Sequence, residues 1–237
     1  MTDSITSFLN ASLKDSLSPD EFAWLTDEQD KLLAAEEKQL YKSIALVPRK
    51  IKRQALSLDL NAAEQTLTDW TPENWYSDEA ARIFLLISFP VDETELFAIL
   101  ERFFISADLK EGECYYKGLC LYPGPEQYNK RAAEGLRTNV QDIFNAVAIN
   151  NPYPAAHLDE GAWNQMILKA IFIGTPLYKI AKLESRTNDE LSRMLCDYAN
   201  ERRAASRSIP AELWRAVGPS NTDLAVENLA IALDSQD

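Results

Sequence analysis

Apolar residues recur along this chain at the three- and four-residue spacing of helix faces, and almost nowhere with the alternation of a half-buried strand. The stretch SPDEFAWLTDEQDKLLAAEEKQLY (18–41) opens with Ser18, Pro19 and Glu21, a capping box with proline in the first turn. It carries Phe22, Leu25, Leu32 and Leu33 on one face. DEAARIFLLISF (78–89) is apolar on most sides and stops at Pro90. DETELFAILERFFI (92–105) restarts with Asp92 and Glu95 placed as a second capping box, so the two predict an antiparallel hairpin with a very short joint. Further helices are predicted over 125–136, after the turn YPGP; over 138–150, from Thr138; and over 159–173, from Asp159. Two more follow, over 187–207, where Thr187 and Glu190 form a third capping box, and over 221–234. The best strand candidate, ECYYKGLCLY (113–122), reads equally as a helix end. The expected fold is all-α, an irregular array of antiparallel helix pairs that admits a solenoid-like arrangement, although no clean repeat at solenoid periods is present. No linker or low-complexity break divides it, so residues 1–237 are expected to form a single helical domain.

Against this background a few polar residues stand in the wrong place. On the helix WNQMILKAIF (163–172), Met166, Ile167, Ala170 and Ile171 share one face, and Leu168, Phe172 and Ile173 cover most of the rest. A helix apolar on all sides is expected to be buried. Yet it carries Asn164 on one side, and Gln165 with Lys169, four apart, on the other. Either Lys169 reaches solvent while Gln165 ties helices together, or the two form the polar wall of an internal pocket. The helix at 187–207 repeats the anomaly. Arg202 falls near the centre of the face marked by Leu191, Met194, Leu195, Tyr198 and Ala205, with Asp197 and Glu201 flanking it and Arg203 facing away. Arg202 is therefore expected to be largely buried and bonded to a carboxylate or a main-chain carbonyl, as a structural pair or as a clamp for an anionic ligand. Arg137 and Asn139 sit where the chain enters a helix; Asn139 either caps it or donates to a ligand. Tyr153, between Pro152 and Pro154, is expected to present its ring from a stiffened loop.

Composition narrows the chemistry. The formal net charge is -13 and Gly is scarce at 7 of 237 residues, which argues against nucleic acid as a partner and against a loop-rich or all-β chain. One local exception, KQLYKSIALVPRKIKR (38–53), holds six basic residues and no acid. It reads as a solvated helix face with a basic turn, or as a contact for an anion or partner. Cys114, Cys120 and Cys196, three at irregular spacing, make neither a disulfide framework nor a zinc site, and imply a reducing, cytoplasmic compartment. The N-terminus lacks a signal-peptide pattern, and no apolar run reaches membrane-spanning length, so no membrane insertion is expected. His157 is the only histidine and no nucleophile elbow accompanies it, which leaves no Ser-His-Asp or Cys-His site. No Gly-rich phosphate loop is present. NDELSRMLC supplies Asn188, Asp189 and Ser192 of a terpene-synthase-like magnesium motif, but Cys196 stands where its Glu belongs. Neither a metal nor an organic cofactor is expected.

The stretches NNPYP, WNQMILKAIFIGTPLYKI, LSRMLCDYANERRAASR and PAELWRAVGP, in that order across residues 115–219, resemble EboA-type proteins. These are encoded with bacterial genes linked to the export or handling of secondary metabolites. In the family pattern the position of Asn200 is often His, so its replacement here argues against an essential metal ligand or acid–base group at that place. The resemblance implies a cytoplasmic accessory protein of metabolite traffic. Its motifs coincide with the misplaced polar residues Asn164, Gln165, Lys169, Asp197, Glu201 and Arg202. The resulting expectation is a non-enzymatic helical protein that binds a small-molecule metabolite or other proteins of its pathway. The alternative is an enzyme of unfamiliar type, with Asp197 or Glu201 as acid or base and Arg202 as anion clamp.

Overall fold

The structure, a computed structural model, describes residues 2–34 and 36–234. Fourteen α-helices make up its regular structure among the described residues, and strand-type pairing is limited to one isolated bridge between Ala55 and Tyr76. The all-α expectation holds, and the strand candidate at 113–122 is a helix end running into a 3₁₀ turn at Gly118–Cys120. The chain divides into two compact units, one through Asn151 and one from Pro152.

In the first unit, α1 (Thr2–Ser16), α2 (Pro19–Leu32), α3 (Glu37–Lys50) and α4 (Leu60–Thr66) precede α5 (Ser77–Ser88). After it come α6 (Glu93–Ser106), α7 (Leu109–Lys117), α8 (Asn129–Arg137) and α9 (Gln141–Ala148). α2 begins at the predicted capping box: the Ser18 hydroxyl accepts from the Glu21 amide, and the Glu21 carboxylate accepts from the Ser18 amide. The helix expected over 18–41 is broken after Leu32. A continuous rod would hold Leu25 and Leu32 far from Leu40, Ile44 and Val47; the turn lets both apolar faces pack on α5. α5 is the centre of this unit, buried from Ser77 to Ile87. Its main neighbours are α1, α3, α2 and α7, so a helix apolar on every side collects partners from before and after it in sequence, and α6 is not the principal one. Asp92 caps α6 through the Glu95 amide, as its position predicted.

The second unit holds α10 (Tyr153–His157), α11 (Glu160–Ile173), α12 (Asp189–Ala204), α13 (Leu213–Val217) and α14 (Asp223–Asp234). Asp159 caps α11, and Gly174, at φ +75, ends it in the left-handed conformation that glycine tolerates best. α12 packs against α11, α13 and α14 around buried Trp163, Ile167, Leu191, Leu195 and Leu213. The predicted cap at Thr187 is displaced by one residue. Asn188 caps α12, accepting from the Leu191 amide, while the Thr187 hydroxyl donates to the Glu184 carbonyl. No helix among the described residues is long and apolar enough to cross a membrane.

Candidate functional site

α11 and α12 lie side by side, and between them runs an open groove of about 440 Å³. Its apolar lining is Leu168, Phe172, Met194 and Tyr198. Its polar lining is Gln165 and Lys169 from α11, with Arg193, Asp197 and Glu201 from α12. Five residues singled out from the sequence, Gln165, Lys169, Asp197, Tyr198 and Glu201, therefore meet around one space. α11 is not buried all round, as its composition suggested. Phe172 is 74% exposed, Gln165 is exposed, and Leu168 and Lys169 are half-buried. The open face carries the polar stripe of Gln165 and Lys169. Burial pushes the Lys169 ammonium below its ordinary pKa, because it loses hydration against the apolar wall. On the opposite rim the Arg193 guanidinium donates to Asp197 at 2.8 Å and to Glu190 at 2.6 and 2.9 Å, so the groove's edge is held as an ion-paired ladder.

Asn164 stands outside the groove. It is 3% exposed, and its amide exchanges two hydrogen bonds with Asn188, at 3.1 and 2.9 Å. The pair ties the body of α11 to the first turn of α12. It also gives Asn188 of the near-miss magnesium motif a structural occupation.

Arg202 requires correction. It is half-buried rather than largely buried, and it is not part of the groove lining. It does bond to a main-chain carbonyl as expected: its guanidinium donates to the Ser208 carbonyl at 2.8 and 2.7 Å and lies 5.9 Å from the Tyr198 ring centre. The buried face of α12 is Leu191, Ser192, Leu195, Cys196 and Ala199, and Arg203, four residues after Ala199, is half-buried like Arg202. Small side chains at 192, 196 and 199 admit α13 and α14, so the buried face is rotated from the one that Met194 and Tyr198 suggested. Arg203, expected to face outward, donates to the buried Asn228 at 2.8 Å and lies 5.9 Å from the Trp214 ring centre. Asp197 and Glu201 are both exposed, and Arg202 does not join them in an anion clamp.

Tyr153 does not present its ring. It is 1% exposed and stacks on His157 at 4.7 Å inside the second unit. Arg137 and Asn139 belong to the first unit, exposed at the joint between α8 and α9. Asn139 does not cap α9, which starts at Gln141 after Val140, and the Thr138 hydroxyl accepts from the Val140 amide.

Sequence reasoning missed two features. In the second unit Arg186 lies over Trp163 at 4.5 Å and donates to the carbonyls of Pro154, Ala155 and Leu158, all at 3.0 Å. This is the planar, carbonyl-saturated role foreseen for Arg202. In the first unit a line of alternating charges runs through the base of α5. Glu111 meets Arg82 at 3.9 Å, Arg82 meets Asp78 at 3.4 Å, and Asp78 meets Arg53 at 2.9 Å. Arg53 then meets Glu79 at 2.9 Å, Glu79 meets Lys117 at 2.9 Å, and Lys117 meets Glu113 at 3.2 Å, with Lys110 closing the line. Part of the signal was present in the sequence: Asp78, Glu79 and Arg82 interrupt a helix apolar on most sides, the same anomaly as Gln165 and Lys169.

Fold and groove together define an all-helical protein with an amphipathic, solvent-open groove. The chain belongs to the EboA family, whose model, described as metabolite traffic protein EboA, matches residues 5–218. That match extends well before 115–219, the stretch that carries the quoted motifs, and takes in nearly all of the first unit. No curated protein and no solved structure matches the chain.

Proposed function

We propose that this metabolite traffic protein is a non-enzymatic, cytoplasmic accessory protein that holds a small secondary metabolite in the groove between α11 and α12. The observation carrying this reading is the groove's lining: an apolar floor of Leu168, Phe172, Met194 and Tyr198, bordered by the partly desolvated Lys169. Its volume lies within the range of about 300–1,000 Å³ common for small-molecule sites, and such sites are mostly apolar with a few oriented polar groups. The ligand class that fits is a planar, largely apolar molecule whose ring lies against Phe172 and Tyr198. An open groove suits hand-over to the next protein of the pathway, because the ligand leaves without a lid having to move.

Native mass spectrometry of protein purified from its own host tests this. The wild-type chain is expected to retain a small molecule that the groove-filling variant Met194→Trp loses. No retained molecule, or the same molecule on both proteins, overturns the reading.

A further inference from the structure

α14 packs with much of its apolar surface turned outward. Its sequence, DLAVENLAIALD, is mostly apolar, yet the residues it buries are Ala225 and Asn228. Val226 is 56% exposed and Leu233 86% exposed. At about 100° per residue, Val226, Ala230 and Leu233 form one exposed ridge, and Asp223, Glu227 and Asp234 form an acidic ridge directly beside it.

α3, in the first unit, carries the counterpart. Lys38, Lys42 and Arg49 are exposed and form one basic ridge, with exposed Ala45 among them and Tyr41 and Pro48 alongside. These are three of the six basic residues of the acid-free segment 38–53. The charges have the same spacing on both helices, four residues and then seven: 38, 42 and 49 on α3, and 223, 227 and 234 on α14. None of the six forms an ion pair within the chain among the described residues.

We propose that α3 of one copy packs antiparallel against α14 of a second copy, so that the chain self-associates through this contact. The charged ridge lies on the same flank of each helix, and only the antiparallel sense brings the two ridges face to face. Lys38 then stands opposite Asp234 and Arg49 opposite Asp223 in one register, with Lys42 less than a turn from Glu227. In that register Val226 and Leu233 come against Pro48 and Tyr41, and the small Ala45 and Ala230 at the centre let the two backbones approach closely. The basic end of α3 also meets the N-terminus of α14, so the Arg49–Asp223 pair joins opposite helix-dipole ends.

A second copy fits better than the other anionic or apolar surfaces that either ridge alone would accept. α3 exposes no large apolar side chain for insertion into a lipid surface, and the acids of α14 repel an anionic one. Each copy carries both halves of the match, so two copies that exchange it form the contact twice. One helix pair is small and rich in charge, which places the association in the weak, reversible class.

Sedimentation velocity on the full chain tests the proposal. At about 0.15 M salt the Debye length of about 8 Å screens long-range repulsion between copies of charge -13 more than it screens ion pairs in contact. The wild-type chain is expected to show concentration-dependent association. Lys42→Glu and Glu227→Lys should each weaken it about tenfold or more, because each sets like charges against one another. An equimolar mixture of these two variants should restore it, since contacts between unlike copies again join opposite charges. Lys38→Glu and Asp234→Lys repeat the test at the other end of the contact, and decide it if a member of the first pair fails to fold. Lys130→Glu makes the same change of charge at an exposed position on α8 and should leave association unchanged. The proposal is overturned if the wild-type chain stays monomeric up to about 1 mM. It is equally overturned if the single reversals leave association intact, if mixing them fails to restore it, or if Lys130→Glu weakens it as much.

Discussion

Asn164 shows how one side chain changes meaning between sequence and structure. It stands with Gln165 and Lys169 as a misplaced polar residue in the sequence, yet its amide donates one hydrogen bond to Asn188 and accepts another from it. Removing one member of a buried pair leaves the other unsatisfied, at a cost of about 1–3 kcal/mol. Asn164→Leu should therefore lower the urea midpoint clearly, while Gln165→Ala, on the open face, should stay within about 0.5 kcal/mol of wild type. Equal effects would show that the amide pair does not hold the two helices. The two arginines of α12 give a second test at this scale. Arg203→Ala strands the buried carbonyl oxygen of Asn228, whereas Arg202→Ala loses only exposed bonds to Ser208. Thermal melts should show the larger loss for Arg203→Ala, the reverse of the order that the sequence phasing implied.

At the scale of one element, α5 combines an all-apolar body with a charged first turn. Glu79, 1% exposed, accepts from Arg53, from Lys117 and from the Tyr76 amide. Truncating it leaves two cations facing each other in a poorly hydrated place, and breaking a buried pair in this way costs about 3–5 kcal/mol. Glu79→Ala is expected to show that loss in urea unfolding. A loss under about 1 kcal/mol would mean that water reaches the site and takes over the role of the carboxylate. The cap of α2 is a smaller effect of the same kind: Ser18→Ala should cost about 1 kcal/mol. Both predictions concern groups that satisfy helix ends.

For the whole molecule, acid is the informative perturbation. Glu21 is held below its ordinary value by the Lys52 amide and by Ser18. Burial raises Glu28 and Glu113, but hydrogen bonds from Lys31 and Ser43 on the one, and from Lys110 and Lys117 on the other, outweigh it, and both end below the ordinary value of 4.5. A carboxyl with a depressed folded-state pKa contributes stability above its unfolded value and loses it as pH falls through the folded one. The urea midpoint should therefore hold down to about pH 5 and fall steadily towards pH 3, more shallowly in Glu113→Gln. A midpoint that stays flat to pH 3 would contradict the assigned carboxylate contacts.

Helix content, the apolar body of α5, the caps at Ser18, Asp92 and Asp159, and the family were all legible in the sequence, because each depends on residues within about one turn or on a motif order. The groove was half legible. Gln165, Lys169, Asp197, Tyr198 and Glu201 were chosen as residues too polar for their helices or adjacent to one that was, and they do meet around one space. Which face of each helix is covered was decided elsewhere. Ser192, Cys196 and Ala199 are small enough to admit α13 and α14, and that close approach turned Arg203 inward and left Arg202 at the edge. The charges of α5 were visible in the sequence, but their partners along the line from Glu111 to Lys110 were out of reach for the same reason. The members of that line come from the segment after α3, from α5 and from α7, and only packing brings charges so distant in sequence to within ion-pairing distance.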